Sequence, residues 1–381
     1  MSENPHIIEI YAPKYEGERF EAHRFPLDLI EDLYVLREMT IEMAKQIYLE
    51  KNKDRQRIPK NFTRDISFEL EGISPGSTIP KIILVTGLTG MFPQANHAYF
   101  EEAPIRIIKA IEVAHTGGDN ITDYANPEVL RYFDHFGKKL RDGESIRFSK
   151  VDGGHAVLNK ESRKRLLLAS SRSNEYTASL SIRGLVTALD KDRRSFDIQL
   201  LNGVKIKGTY GEEHTKNLQE ALFGLEDGQK VLIKATGIFS ASDKLKAIHD
   251  VEEMNLLDEF DVPSRLEELS LLKSGWLDGN QGAPLNGEGL NWLSEAFENF
   301  YNSDDLPLPA AFPTPEGNVQ FEWSFDNNEV SLEVDFKTQN ADYFELDTAS
   351  KKENSEQLNL TEEGDWKKLN ELLLEIKGRT E

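Results

Sequence analysis

The spacing of apolar residues changes along this chain, and the change limits how its 381 residues can fold. Apolar residues recur every three to four positions between Leu29 and Ile47, which predicts an amphipathic helix over about 26–50. From Tyr176 apolar and polar residues alternate instead, as in strands. Because the length exceeds what one hydrophobic core usually serves, it predicts two or three domains. The patterns along the chain favour an α+β multidomain protein with three.

The first predicted domain covers residues 1–172 and combines helices with strands. Two apolar runs, around Phe68 and Ile82, flank the segment 72–76 and indicate a β-hairpin. The other helices are expected over 100–114, 127–140 and 160–169. The last of these helices is basic and ends the α+β domain.

A small β-barrel of the OB or SH3 kind is predicted over residues 173–257. About five short alternating segments and one helix, over 214–222, fit this class. Asn202-Gly203 lies between two alternating segments and predicts a hairpin with a type I′ turn. Gly184, Gly208 and Gly237 fall inside strand segments, where a barrel needs sharp bends.

Residues 258–381 predict an acidic domain with the order αβββα. The first helix is expected over 288–301 and the last one after Thr361, with three strands between them. The first two strands alternate over 319–325 and 330–336, so one face is apolar and the other carries carboxylates.

Charge is segregated along the chain. Residues 258–381 contain 9 basic and 28 acidic side chains, a formal charge of −19, whereas the whole chain carries −22. Residues 131–172 contain 11 basic and 5 acidic side chains, a formal charge of +6. Folding does not require such segregation, and a charged surface selects and steers what approaches it.

The composition excludes several classes of chemistry. Cysteine is absent, so disulfides, cysteine-ligated zinc and thiol catalysis are excluded. No run of about 18 apolar residues occurs, and the first residues do not have the pattern of a signal peptide. We therefore expect a cytoplasmic protein with no membrane partner, no cofactor and no bound metal, and the sequence does not specify its oligomeric state.

The acidic domain leads to the preferred functional hypothesis, a non-catalytic interaction protein that docks on a basic protein partner. Opposite charges across an interface raise the association rate and favour the correct partner. The contact residues expected from the alternation are Glu316, Glu322, Glu333 and Asp335.

The basic segment leads to an alternative hypothesis, nucleic-acid binding beside the barrel. OB-like barrels often bind single strands in a groove with aromatic side chains, and cations neutralise the phosphates. The residues expected to do so are Lys138, Lys139, Arg141, Arg147, Lys150, Lys160, Arg163, Lys164 and Arg165. The predicted barrel itself offers few exposed aromatic residues, with Tyr210 as the best candidate.

A second alternative is a Mg²⁺-dependent nuclease. Glu316 opens one predicted strand, and Asp335 and Lys337 close its neighbour, so the hairpin would bring two carboxylates and a lysine together. This arrangement resembles the PD-(D/E)xK nuclease superfamily, and Glu295 or Glu298 on the preceding helix fits its core as well. A domain charge of −19 repels the substrate that a nuclease must hold.

Other motifs have simpler interpretations. The segment 72–76 reads G-x-S-x-G, the pattern of a nucleophile elbow, but a strand follows it instead of a helix. Gly87 and Gly90 follow a strand without the lysine of a phosphate-binding loop. Three histidine and aspartate pairs could each supply two metal ligands, with no third ligand at a suitable spacing. They are Asp134 with His135, Asp152 with His155, and His115 with Asp119.

The segment 313–334 resembles a tract of small uncharacterised bacterial proteins. It reads Pro-Thr-Pro-Glu-Gly-Asn-Val-Gln-Phe-Glu-Trp over 313–323 and continues into the alternating acidic strand Val-Ser-Leu-Glu-Val over 330–334. Asn318 stands where those proteins have a second glycine. Such proteins are encoded near toxin–antitoxin or anti-phage defence genes. The resemblance therefore implies a bacterial setting and an accessory, antitoxin-like role in a defence system, and no particular reaction.

Overall fold

The computed structural model describes residues 6–20, 25–64, 66–74, 78–86, 96–150 and 153–380. Helices and several antiparallel sheets are mixed along the chain, which confirms the α+β class. The chain divides into two compact units, Met1–Leu180 with Ala235–His249, and Ser181–Lys234 with Asp250–Glu381. The three-domain division stays a prediction.

The N-terminal part of the first unit contains six strands and four α-helices among its described residues. In chain order they are β1 (His6–Tyr11), β2 (Lys14–Glu16), α1 (Ile30–Lys51), β3 (Ile66–Ser74), β4 (Ile79–Thr86), α2 (His97–Thr116), α3 (Pro127–Leu130), β5 (Ser145–Ser149), β6 (His155–Leu158) and α4 (Lys160–Ser170). The strands form two three-stranded sheets, in the orders β1-β4-β3 and β2-β5-β6.

Helices α1 and α2 supply a large share of the core of this part. Leu36 and Met39 of α1 and Phe100 and Ile107 of α2 are buried in one cluster with the inner sheet residues. Burial of each such apolar side chain stabilises the fold by roughly 1.5–3 kcal/mol, and this holds the helices against the sheets. The sequence predicted α1, α2 and the β3–β4 hairpin correctly.

The predicted helix over 127–140 is wrong in extent. Helix α3 ends at Leu130, a single 3-10 turn continues to Asp134, and Gly137 has a φ of +73°. Glycine adopts this left-handed conformation without steric cost, and it terminates helices. The apolar residues of this segment, including Phe133 and Phe136, are buried although the chain is not helical there.

Helix α4 is the basic helix that the sequence predicted over 160–169. The Asn159 side chain accepts a hydrogen bond from the Ser162 backbone N–H, and the Ser162 hydroxyl accepts one from the Asn159 backbone N–H, both at 2.9 Å. This reciprocal capping satisfies two backbone donors at the start of the helix.

Five strands follow and close into a barrel with the hydrogen-bonded order β10-β11-β9-β8-β7. They are β7 (Glu175–Asp190), β8 (Ser195–Leu200), β9 (Lys205–Thr209), β10 (Val231–Ser240) and β11 (Leu245–Leu256), with helix α5 (Thr215–Phe223) between β9 and β10. Strands β7, β10 and β11 each contribute residues to both units.

The turn between β8 and β9 differs from the predicted type I′. That turn needs a positive φ at both central residues. Gly203 has a φ of +82°, whereas Asn202 lies outside the left-handed region. The Gly203 N–H donates to the Leu200 carbonyl and the Leu200 N–H donates to the Val204 carbonyl, both at 2.8 Å, so the loop contains one residue more than predicted.

The C-terminal part of the second unit is an antiparallel sheet of five strands in sequential order. Its elements are α6 (Val262–Leu269), α7 (Gly287–Phe300), β12 (Ala310–Pro313), β13 (Val319–Phe325), β14 (Asn328–Val334), β15 (Asn340–Asp347), β16 (Lys352–Asn359) and α8 (Glu363–Thr380). The predicted order αβββα is therefore wrong by one helix and two strands.

Both missed strands lie at the edges of this sheet. Strand β12 has only four residues and ends at Pro313. Strand β16 reads Lys-Glu-Asn-Ser-Glu-Gln-Leu-Asn, with one apolar residue. Short, charged and proline-containing edge strands lack an alternating apolar pattern, so sequence reasoning does not detect them.

Helices cover one face of this sheet. Trp366 and Leu369 of α8 and Phe297 of α7 are buried against Phe321 and the other inward residues of the strands. The Trp366 indole N–H donates to the Leu360 carbonyl at 2.9 Å, which satisfies its polar atom inside the core.

One buried carboxyl group in the first unit opposes folding at neutral pH. Asp32 is 2% exposed, and its Oδ2 has no hydrogen-bond partner among the described residues. Burial raises the pKa of Asp32 to about 7, and hydrogen bonding from the Gly137 backbone and the charges of Lys139 and Arg163 only partly oppose this.

We expect Asp32→Asn to stabilise the protein at pH 8 and to flatten its stability profile. Between about pH 4 and pH 7 the unfolded chain releases this proton while the folded chain keeps it, so the free energy of unfolding falls as pH rises. The loss is about 1.4 kcal/mol per pH unit for this group. Urea unfolding at pH 5 and 8 measures it, with Glu101→Gln, an exposed position, as control. A variant less stable than the parent at pH 8 contradicts the assignment.

Candidate interaction surface

The face of the C-terminal sheet opposite the helices is open, and we call it the open sheet face. Alternation along the strands places every second residue on it, and the register aligns these residues in three rows across the sheet. The rows are Phe312, Gln320, Glu333, Asp342 and Gln357; Ala310, Glu322, Ser331, Phe344 and Ser355; and Ser324, Glu329, Leu346 and Glu353. None of these positions holds lysine or arginine.

The carboxylates of the open sheet face have no cationic partner. Glu322, Glu329, Glu333, Asp342 and Glu353 form no ion pair within the part of the chain that the structure describes. Glu322 accepts a hydrogen bond from Gln320 at 2.6 Å and Asp342 accepts one from Gln357 at 3.1 Å. Neutral amides leave the negative charge of these groups in place, so the face has an uncompensated negative potential.

The covered face of the same sheet is different. Glu345 lies 3.2 Å from Arg379 of α8, and Glu356 pairs with Lys368 of the same helix. These two inner-side carboxylates are thus neutralised by cations of α8.

Two of its carboxylates stand directly opposite each other. The register pairs Glu333 of β14 with Asp342 of β15. Like charges at directly paired positions of an antiparallel sheet are destabilising, and no cation lies between them on this face. A local arrangement that opposes folding without a structural gain is typical of functional sites.

Apolar side chains lie among these carboxylates. Phe344 is 38% exposed and Phe312 is 44% exposed, although both belong to strands. Phe344 lies in the middle row on β15, and its diagonal neighbours on β14 are Glu329 and Glu333. The face therefore combines an exposed aromatic ring with surrounding negative charge.

The structure places the four predicted contact residues in two groups. Glu322 and Glu333 lie on the open sheet face. Glu316 is exposed in the turn between β12 and β13, and Asp335 follows the end of β14. The Asp335 side chain accepts hydrogen bonds from the backbone N–H groups of Lys337 at 2.7 Å and Thr338, which gives it a role in the turn.

Sequence reasoning missed part of this face. Glu329, Asp342, Phe344 and Glu353 were not among the expected contact residues. The segment 340–347 alternates as Asn-Ala-Asp-Tyr-Phe-Glu-Leu-Asp, and its two aromatic residues fall on opposite faces. Only the register shows that Phe344 is the outward one.

Three residues of the nuclease hypothesis, Glu316, Asp335 and Lys337, lie outside the strands. Strand β14 ends at Val334, so Asp335 and Lys337 follow the strand, whereas the sequence predicted that they close it. Glu298 pairs with Arg183 at 2.6 Å. Among the described residues no group of three histidine or acidic side chains could hold a metal ion.

Most cations of the basic segment are bound by carboxylates of the first unit. Lys139 pairs with Glu31, Arg147 with Glu16, Lys150 with Glu112, Lys160 with Asp142, Lys164 with Asp243, and Arg165 with Glu161, at distances from 2.6 to 3.2 Å. Lys139 lowers the pKa of Glu31, which reflects the same pairing. These pairs use none of the carboxylates of residues 258–381.

Arg163 is buried and makes different contacts. It is 4% exposed, and its guanidinium donates to the backbone carbonyls of Thr177 and Asp134, each at 2.9 Å. Burial lowers the pKa of Arg163 to about 10, so the side chain remains charged at neutral pH. Arg163 therefore holds the start of β7 and is not presented to a nucleic acid.

The remaining motifs carry no site in the described residues. Pro75 and Gly76 of the G-x-S-x-G segment, Gly87, Gly90 and Asp152 lie outside them. His135 and His115 belong to no metal-binding group there. None of the described helices is long and apolar enough to span a membrane.

Comparisons with known proteins do not assign this surface. No protein-family model matches the chain, and neither a curated protein nor a solved structure shows significant similarity to it.

We expect Asp342→Asn to stabilise the folded protein, because it removes the repulsion from Glu333. The gain should be roughly 0.2–1 kcal/mol and should shrink in high salt. Urea unfolding at 20 mM and 500 mM NaCl would measure it. Glu329→Gln is the matched control, since its paired neighbours, Ser324 and Leu346, are uncharged. Equal stabilisation by both substitutions would show that the directly opposed pair is not the cause.

Proposed function

We propose that this chain is a non-catalytic interaction protein that binds a basic protein partner through the open sheet face. The observation that carries the proposal is a set of carboxylates without ion pairs, with Glu333 directly opposite Asp342, beside the exposed ring of Phe344. Charge complementarity defines the occupant as a surface rich in arginine and lysine.

The carboxylates and the aromatic ring of the open sheet face are suited to binding arginine and lysine side chains. Carboxylates accept two parallel hydrogen bonds from a guanidinium, and arginine and lysine also pack their aliphatic stems and cations on aromatic rings. Phe344 supplies the ring, and Glu329 and Glu333 supply carboxylates diagonal to it.

We propose that the five-stranded barrel is of the OB type. In the order β10-β11-β9-β8-β7 the fifth strand lies between the third and the fourth, and α5 connects the third to the fourth, as in OB barrels. The exposed residues of β9 are Lys205, Lys207 and Thr209, none of them aromatic. The aromatic platform typical of single-strand binding is thus lacking on this strand, and Tyr210 is buried.

The resemblance of residues 313–334 to a tract of bacterial proteins supports a bacterial defence system as the setting of this function. That segment comprises the end of β12 and all of β13 and β14, and it includes Glu322 and Glu333 of the open sheet face. We infer a cytoplasmic, antitoxin-like component of a bacterial defence system, in which the acidic sheet covers a basic surface of another protein.

We expect an arginine-rich decapeptide to bind the full chain with an affinity that falls with salt. Fluorescence anisotropy of the labelled peptide between 50 and 300 mM NaCl would measure it. The triple variant Glu322→Gln, Glu333→Gln, Asp342→Asn should weaken binding at least about tenfold, roughly 1.4 kcal/mol. Phe344→Ser should weaken it by a similar factor with an unchanged salt dependence, because it removes only the apolar contact.

The matched control changes the same number of charges elsewhere in the acidic part. Asp304, Glu362 and Glu371 are exposed and lie outside the open sheet face. Their triple amide variant should bind the peptide like the parent. If both triple variants lose the same affinity, the peptide responds to net charge, and the open sheet face is not the binding site.

A further inference from the structure

A cavity of about 280 Å³ lies beside the first turns of α4 in the first unit. Four cationic side chains line it, together with two acidic ones, and one of the cations, Lys160, also pairs with Asp142 at 2.7 Å. The cationic residues are Lys138, Lys160, Arg163 and Lys164, and the acidic residues are Glu161 and Asp243. Tyr176 of β7 contributes its ring and hydroxyl to the same wall.

Arg163 gives this cavity a buried, permanent charge. It forms no ion pair within the described residues, and its Nε has no hydrogen-bond partner there. Its other donors bind backbone carbonyls, which carry no net charge. The charges of Asp134 and Asp32 act on it from a greater distance. Buried charges are normally paired, so this cation favours an anion nearby.

An internal carboxylate already occupies part of the cavity. Asp243, at the tip of the β10–β11 hairpin, accepts hydrogen bonds from the Lys164 ammonium on both oxygens, at 2.6 and 2.8 Å. The Tyr176 hydroxyl donates to the same group. These contacts lower the pKa of Asp243, Lys164 having the larger effect. The carboxylate thus marks a position where several donors converge on anionic oxygens.

The carboxylate of this contact is accessible to solvent. The Asp243 side chain is 63% exposed, whereas the Lys164 side chain is 17% exposed, so a ligand can reach the position that the carboxylate occupies. A phosphate group has more charge and more acceptor oxygens than a carboxylate, and lysine side chains bind it as point charges. The N-terminal end of α4 adds a favourable potential for an anion.

We propose that this cavity binds the phosphate group of a small phosphorylated molecule, and that Asp243 is an internal competitor which that phosphate displaces. A cavity of this volume favours a small ligand over a nucleic acid, because most of the neighbouring cations that could follow a phosphate backbone are paired within the first unit. The proposal concerns residues other than those of the open sheet face.

Titration of the full chain with inorganic pyrophosphate in low salt, followed by calorimetry, tests this site. We expect saturable binding, and about tenfold tighter binding for Asp243→Asn, because the competing carboxylate is neutralised. Lys164→Met should lose at least about tenfold in affinity. Glu31→Gln is the matched control, since it removes the same charge beside Lys139, which does not line the cavity.

Three outcomes would overturn the proposal. They are no saturable pyrophosphate binding to Asp243→Asn, an equal gain for Glu31→Gln, and tighter, length-dependent binding of single-stranded oligonucleotides at the same site. Binding of the arginine-rich peptide to Asp243→Asn should match the parent, so a failure of the phosphate site is distinguishable from a failure of the proposed protein interaction. Circular dichroism confirms that each variant is folded.

Discussion

The cross-strand register of the C-terminal sheet is the constraint on which the acidic surface depends. Burial of Val319, Phe321 and Trp323 beneath the helices fixes which residues of β13 face inward, and the intervening polar residues must then face outward. A shift of one residue would expose the apolar set and bury the carboxylates. The hydrophobic core therefore holds Glu333 opposite Asp342 despite their repulsion. Stability of the core and charge of the surface are set by the same alternation.

Sequence reasoning succeeded where a single period extends over many residues. Helices α1, α2 and α4 and the strands β13 and β14 are regular, and their apolar residues identify the inner face. It failed where burial is not periodic, as at Phe133 and Phe136, which are buried in irregular backbone. Sequence reasoning also missed the edge strand β16, because a strand made almost entirely of polar residues has no apolar pattern to detect.

The candidate site was predicted only in part for a related reason. Composition indicated where the negative charge lies, and alternation identified Glu322 and Glu333. Whether a charge remains unpaired depends on residues distant in sequence, such as Lys368 and Arg379, which neutralise Glu356 and Glu345 on the other side of the sheet. The basic segment shows the same dependence, because Glu16 and Glu112 neutralise cations far along the chain. Such pairing has no local sequence signal.

The lack of any cation on the open sheet face has a consequence for contacts between identical molecules. Two copies that met face to face would bring like charges together around Phe344, so homotypic stacking through this face is disfavoured although an aromatic ring is exposed. The two edge strands also disfavour contacts between identical molecules, since Pro313 and the charged residues of β16 hinder the addition of another strand. The molecule can thus keep an acidic surface with an exposed aromatic ring and still avoid stacking on a second copy through that surface.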